Sequence, residues 1–137
     1  MNLLKSIAYL LIFNFLFTSC TQDDDDIIFP LGDYEYGFLI TNEGPFQNGT
    51  GTISFVSDDY ATVESQIFNQ VNSSDLGSIV QSIGFNDDNA YVVVNNSHKI
   101  EVVNRYSFES IASITEGLNN PRYFVSSGSN GYVSNWG

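Results

Sequence analysis

The sequence predicts an all-β fold, a β-propeller of four-stranded blades, of which about two and a third follow a signal peptide and an acidic tether. Three observations lead there. From Gly32 onward no helical period of useful length occurs; short runs of Val, Ile, Tyr, Phe and Thr are separated by Gly, Asn, Asp and Ser clusters, the mark of consecutive short strands. Turn signals recur at Ser57-Asp58-Asp59, Asn86-Asp87-Asp88-Asn89 and Ser127-Gly128-Ser129-Asn130-Gly131. The chain also aligns on itself, residues 37–42 (GFLITN) paralleling 90–95 (AYVVVN) and 131–136 (GYVSNW).

In chain order, the first unit supplies strands at 37–42, 52–57 and 61–69. Its second strand, within 51–56 (GTISFV), matches 99–103 (KIEVV), and 60–67 (YATVESQI) matches 106–114 (YSFESIASI). A complete unit follows with strands at 78–85, 90–95, 99–104 and 108–115, and another begins with 121–126 and 131–136. Four strands per unit of roughly forty to fifty residues is the period of a propeller blade. A propeller closes its ring so that few strand edges stay unpaired. About two and a third blades do not close, so residues 32–137 are expected to be the N-terminal blades of a longer protein; assembly of several copies is the other route.

The ends and the composition add an address. Residues 1–5 are short and positively charged, residues 7–17 (IAYLLIFNFLF) are apolar, and Thr18-Ser19 precede Cys20. That is the order of a signal peptide over 1–19, and the apolar run is too short to span a bilayer. Phe17-Thr18-Ser19-Cys20 resembles the bacterial lipobox, with Phe at the position usually held by Leu. The resemblance implies that Cys20 is acylated and anchors the chain to outer-membrane lipid, two or three acyl chains giving a stable hold where one does not. Residues 20–31 then form a tether carrying the run Asp23-Asp24-Asp25-Asp26. It resembles the acidic export signal of Bacteroidetes-type surface lipoproteins, which implies an outer-membrane, cell-surface location. Chemically, a four-Asp run repels an anionic membrane face. With 4 Lys and Arg against 16 Asp and Glu, for a net charge of −12, the chain is unsuited to gripping nucleic acid. One Cys excludes an internal disulfide framework and a Cys-based zinc site. At 42% hydrophobic and 15% aromatic residues, it is too apolar to be disordered.

The order of motifs resembles the YncE-like seven-bladed propellers, in particular their surface-lipoprotein branch in Bacteroidetes. The residues that carry the resemblance are Asn42-Glu43-Gly44, residues 90–97 (AYVVVNNS), Lys99–Asn104 (KIEVVN), Pro121-Arg122-Tyr123 and residues 131–137 (GYVSNWG). In that family the strand opening with Pro lines the central channel, then come the Tyr-Val strand, the Ile/Val strand and the outer strand. This strand order implies that the loops 42–51, 71–77, 95–98 and 117–120 share one face.

Those loops nominate the ligand-binding candidates: Asn42, Glu43, Asn95, Asn96, His98, Asn119 and Asn120, with Ser97 among them and Arg122 and Trp136 beside them. Amides, one carboxylate, one guanidinium and one indole can hydrogen-bond and stack a neutral polar ligand. Each has a structural alternative. Asn42, Asn95 and Asn96 suit strand-end turns, Arg122 can pair with an acid, and Trp136 can pack between blades. His98 is the sole His and has no Cys or second His nearby in sequence to complete a metal site. No Gly-x-Ser-x-Gly elbow, His-Glu-x-x-His, Walker loop or dinucleotide fingerprint occurs, and the Asp pairs at 58–59 and 87–88 lack calcium-loop spacing. The expectation is therefore a non-enzymatic propeller without cofactor or metal that binds a ligand or partner protein. Some relatives in the resembled family are cobalamin-capturing lipoproteins on TonB-dependent transporters, which implies a role in outer-membrane nutrient uptake. A lactonase or quinoprotein-type dehydrogenase, and a structural or adhesive surface protein, are the competing classes.

Overall fold

The β-branched and aromatic runs fold as antiparallel hairpins, and the Asn, Asp, Gly and Ser clusters make their turns. A computed structural model describes residues 30–46 and 48–137, so the expected signal peptide, Cys20 and the Asp run lie outside the described residues. Within them, the first sheet comprises β1 (Gly37–Asn42), β2 (Thr52–Ser57) and β3 (Val63–Glu64) in that order. The second is β4 (Val80–Asn86), β5 (Asn89–Val94), β6 (Lys99–Asn104) and β7 (Ser110–Ile114), and the third is the hairpin β8 (Pro121–Ser127) and β9 (Asn130–Asn135). The all-β reading holds, and eight of the nine strands fall where the sequence places them, within a few residues at their ends.

The ninth does not. The strand expected over 61–69 stops at Glu64, and a one-and-a-half-turn helix, α1 (Ile67–Asn72), takes its place. Gln66 adopts a left-handed conformation (φ 58°) that breaks the strand. Ile67 and Phe68 are adjacent in sequence and both buried. A strand would send them to opposite faces, whereas a helical turn delivers both to one core beside Leu76.

The second sheet lies between the other two and is apolar on both sides. Ala90, Val92, Val94 and Val103 face the first sheet and meet Ile53 and Phe55, with Phe108 and the α1 pair completing the cluster. Before β1, the chain crosses from the second sheet to the first: the Tyr34 N–H donates to the Tyr106 carbonyl at 2.9 Å. The Tyr34 ring stands edge-on to Phe55 and Phe108, at 5.2 and 6.0 Å between centroids. On the opposite side, Tyr91 stacks on Phe124 at 4.0 Å and 11°. Two glycines make that slot. A Cβ at Gly84 would come within 2.9 Å of the Phe124 ring and carbonyl oxygen, and one at Gly131 within 2.6 Å of the ring. Glu101 is buried on β6 but paired, accepting from Lys99 Nζ at 2.9 Å and Ser110 Oγ at 2.7 Å, as a buried carboxylate requires.

The packing corrects the internal alignment. Residues 90–95 and 131–136 agree in facing: Tyr91 and Tyr132 both point away from the first sheet, and Val92 and Val133 both point back toward it. Residues 37–42 do not. Leu39, aligned with Val92, points forward onto the very cluster that Val92 points back into. Because side chains alternate along a strand, a one-residue slip reverses every one of them. Like faces are restored by an offset one residue shorter, which sets Leu39 against Tyr91 and Glu43 against Asn95.

Burial raises the Tyr34 phenol above its ordinary value of 10.0, and the neighbouring Glu64 carboxylate adds to the rise. A raised folded-state value means that its stabilisation is complete below pH 10 and is lost as pH climbs through the folded value. In an ultraviolet phenolate titration Tyr34→Phe is expected to shrink the late-ionising fraction. An unchanged curve would refute the placement of Tyr34 between the sheets.

Candidate functional site

The loops expected to share a face do so, and hydrogen bonds join them in a row across the three sheets. At one end the Val80 N–H donates to the Glu43 carbonyl at 3.3 Å and the Gly51 N–H to the Gly77 carbonyl at 2.8 Å. Thr50 clamps Gly77 from both sides, its Oγ1 donating to the Gly77 carbonyl at 3.1 Å and accepting the Gly77 N–H at 3.0 Å. In the middle, Ser97 Oγ accepts the Ser78 N–H at 2.9 Å, Asn96 Nδ2 donates to Ser78 Oγ at 3.2 Å, and the Asn95 N–H donates to the Ile79 carbonyl at 2.8 Å. Beyond that, His98 Nδ1 accepts the Asn120 N–H at 3.0 Å. Asn135 closes the row: its Oδ1 takes the Asn119 N–H at 3.2 Å, and its Nδ2 donates to the Gly117 carbonyl at 3.1 Å.

Close approach of loops demands residues without bulk at the crossings. A Cβ at Gly51 would meet the Glu43 carbonyl oxygen at 2.6 Å and the Val80 nitrogen at 2.7 Å. His98 (φ 50°) and Asn120 (φ 48°) turn in the left-handed region, where Asn and His are among the better-tolerated residues.

The nominated residues sort by what their side chains already do. Asn95 is buried, and its Nδ2 donates to the Pro121 carbonyl at 2.9 Å, so it ties β5 to β8. Asn42 points to the outer face of the first sheet, its Nδ2 reaching Ser54 Oγ at 3.0 Å and Thr52 Oγ1 at 3.2 Å; it belongs to the strands and not to the row. Glu43, Asn96, His98 and Asn119 are exposed and Asn120 half-buried. With Nδ1 accepting, the His98 proton sits on Nε2. The Arg122 guanidinium lies 4.7 Å above the Trp136 ring, which is 69% exposed. Among the described residues Arg122 thus partners an indole and not an acid, and Trp136 stays largely in solvent and is not packed between sheets.

Sequence reasoning passed over Thr50 and Ser78, the residues that knit the row, because an isolated hydroxyl in a loop carries no spacing signal. It also passed over Arg105, whose guanidinium lies 5.5 Å from the Phe85 ring and 4.9 Å from that of Tyr106. Among the described residues no group of three or more His, Cys, Asp and Glu side chains is placed to hold a metal ion, and no described helix is long and apolar enough to cross a membrane.

The row thus presents the exposed amides of Asn96 and Asn119, the His98 imidazole and an indole paired with a guanidinium. Such a set binds by hydrogen bonds and stacking. No curated protein matches the chain. A family comparison matches residues 36–135, from just before β1 to the end of β9, to a domain of unknown function, DUF5074, and the chain belongs to that family.

Proposed function

We propose that the chain is part of a surface-anchored lipoprotein whose sheets are blades of a YncE-like propeller, and that it acts as a non-enzymatic module binding a small ligand or a partner protein. The observation that carries this reading is the row of loops. Residues distant in sequence converge on one edge of three stacked sheets, the backbone crossings are fixed by hydrogen bonds, and Asn96, His98, Asn119 and Trp136 keep polar or aromatic surface toward solvent. Rigid elements presenting loops at one edge are how propellers and similar scaffolds carry binding sites. The shared facing of 90–95 and 131–136 supports a tandem stack of blades. The lipobox supports acylation at Cys20, and the Asp run supports display on the outer face of the outer membrane. In that setting a TonB-dependent transporter is the partner, and a corrinoid of the cobalamin type is the ligand.

The test is calorimetric titration of the chain with cobalamin and cobinamide. Binding is expected, and Trp136→Ala is expected to weaken it about tenfold, near 1.4 kcal/mol. Absence of heat with every corrinoid, together with hydrolysis of a lactone substrate, would replace the binding reading with an enzymatic one.

A further inference from the structure

We propose that residues 77–80 are a strained strap that locks two parts of the loop row together, so that the Thr50 side and the turn after β5 open and close as one unit. The inference goes beyond the corrinoid reading and does not depend on it. Ile79 sits at φ 62°. A β-branched residue in the left-handed region is an outlier, since Gly, Asn, Asp and His are the residues that turn there at low cost. The same place in the next repeat, 41 residues on, holds Asn120 at φ 48°. Both positions make the same bond: the Asn95 N–H donates to the Ile79 carbonyl at 2.8 Å, and the Trp136 N–H to the Asn120 carbonyl at 3.1 Å. The repeat therefore sets this conformation, and at 79 it falls on a residue that resists it. Burial does not account for the choice, because Ile79 is half-buried and stands outside the cluster between the first two sheets.

The strain is held by bonds that alternate between two elements. Gly77 and Val80 are tied to the first sheet's side of the row. The Gly77 carbonyl accepts from the Gly51 N–H at 2.8 Å, its N–H donates to Thr50 Oγ1 at 3.0 Å, and the Val80 N–H donates to the Glu43 carbonyl at 3.3 Å. Ser78 and Ile79, between them, are tied to the turn after β5, through Ser97 Oγ at 2.9 Å and the Asn95 N–H at 2.8 Å. Gly77 (φ 112°) is shaped for the same approach, since a Cβ there would run into Ser97 Oγ. Four consecutive residues thus take their ties from two elements at once, and Ile79 lies where those ties cross. Backbone strain of this kind persists where the surroundings over-determine it. Loss of either set of ties lets Ile79 relax to an extended conformation, which draws the strap off the other set. The strap also holds a nominated binding group, because Asn96 Nδ2 donates to Ser78 Oγ at 3.2 Å. Its release frees that amide. Contact on the Thr50 side is therefore coupled to Asn96 on the other, whatever ligand the row takes. The strain sets the size of that coupling at about tenfold.

The test is amide hydrogen exchange on the full chain in detergent, with no ligand added. The reporters are the amides of Gly51, Gly77, Ser78, Val80 and Asn95, whose bonds all begin or end on the strap. They are expected to exchange through one shared opening, with a common protection factor. Thr50→Val removes the clamp on Gly77 and is expected to speed exchange about tenfold at Ser78 and Asn95 as well, although their amides bond to other partners. Ile79→Gly relieves the strain and is expected to slow all five about tenfold. Ile79→Asn, which installs the residue type of position 120, is expected to act in the same direction. With either substitution at 79, Thr50→Val is expected to reach Gly51 and Gly77 alone. Faster exchange in both Ile79 variants would overturn the proposal, because the isoleucine would then support the strap instead of resisting it. So would a Thr50→Val effect confined to Gly51 and Gly77 with Ile79 in place, which would mean that the two sides move independently.

Discussion

Truncating Phe108 to Ala is expected to destabilise the fold by about 3–5 kcal/mol, the usual cost of deleting a fully buried aromatic ring. Phe108 has no exposed surface. Its ring meets Tyr34 in the cluster that joins the first sheet to the second, so the cavity would open where two sheets and the 30–36 segment meet. The backbone makes this site diagnostic. Phe108 sits at φ 63°, a left-handed conformation that costs an L-residue about 1–2 kcal/mol, and besides the ring its backbone is held there by hydrogen bonds, the N–H donating to the Asn104 carbonyl at 2.9 Å and the carbonyl accepting from Asn72 Nδ2 at 3.0 Å. Alanine keeps that cost and loses the ring, while glycine loses the ring and escapes the cost. Phe108→Gly is therefore expected to be less destabilising than Phe108→Ala by about 1 kcal/mol in chemical denaturation, the reverse of their order in ordinary helix positions. Finding Gly worse than Ala would show that the backbone at 108 leaves the left-handed region once the ring is gone.

The second large effect is expected at Asn72. Its Nδ2 donates to the carbonyls of Phe68 and Phe108, both at 3.0 Å, and its Oδ1 accepts the Ser110 N–H at 2.8 Å. One side chain thus closes the end of α1 and satisfies the backbone leading into β7. Asn72→Leu preserves the size but leaves the part-buried Phe108 carbonyl and the more exposed Ser110 N–H without this partner. Orphaned groups cost about 1–3 kcal/mol each, and with partial access to water the pair is expected to cost about 2–3 kcal/mol in chemical denaturation. Hydrogen exchange gives the second readout, with the Ser110 amide expected to exchange at least tenfold faster. An unchanged Ser110 amide would mean that water or another group serves it in solution.

These two residues also mark where the sequence stops being readable. Strands such as β5 and β6 are written locally, in runs of Val and Ile between turn clusters, and turn signals at 86–89 and 127–131 fall where the hairpins reverse. The loop row was legible only through the strand order carried over from the resembled propellers, because that order decides which loops share an edge. α1 was not. Six residues are too few to show a helical period, and Ile67-Phe68 reads equally as a strand. Its existence depends on a core assembled from Tyr34, Phe55 and Phe108, which lie far apart in the chain. The one-residue slip at 37–42 has a related origin: GFLITN is apolar at adjacent positions, so composition does not say which side is inward, and only packing against Val92 and Val94 does. Among the site candidates, Asn95 could be recognised as an Asn at a strand end, but its bond to the Pro121 carbonyl could not.

The segment 30–36 gives the molecule a particular mechanical polarity. It is adjacent in sequence to the first sheet, yet its backbone is fastened to the Tyr106 turn of the second, and the Tyr34 ring is wedged where the two sheets meet. Tension applied from the N-terminal side therefore reaches the middle sheet before it reaches β1. The hydrogen bond at Tyr106 and the wedge at Phe55 and Phe108 bear the load together, and β1 is spared from being peeled off β2 one pair at a time. A chain held from that end and pulled by flow or by a bound partner would fail by parting sheets, not by unzipping its first strand.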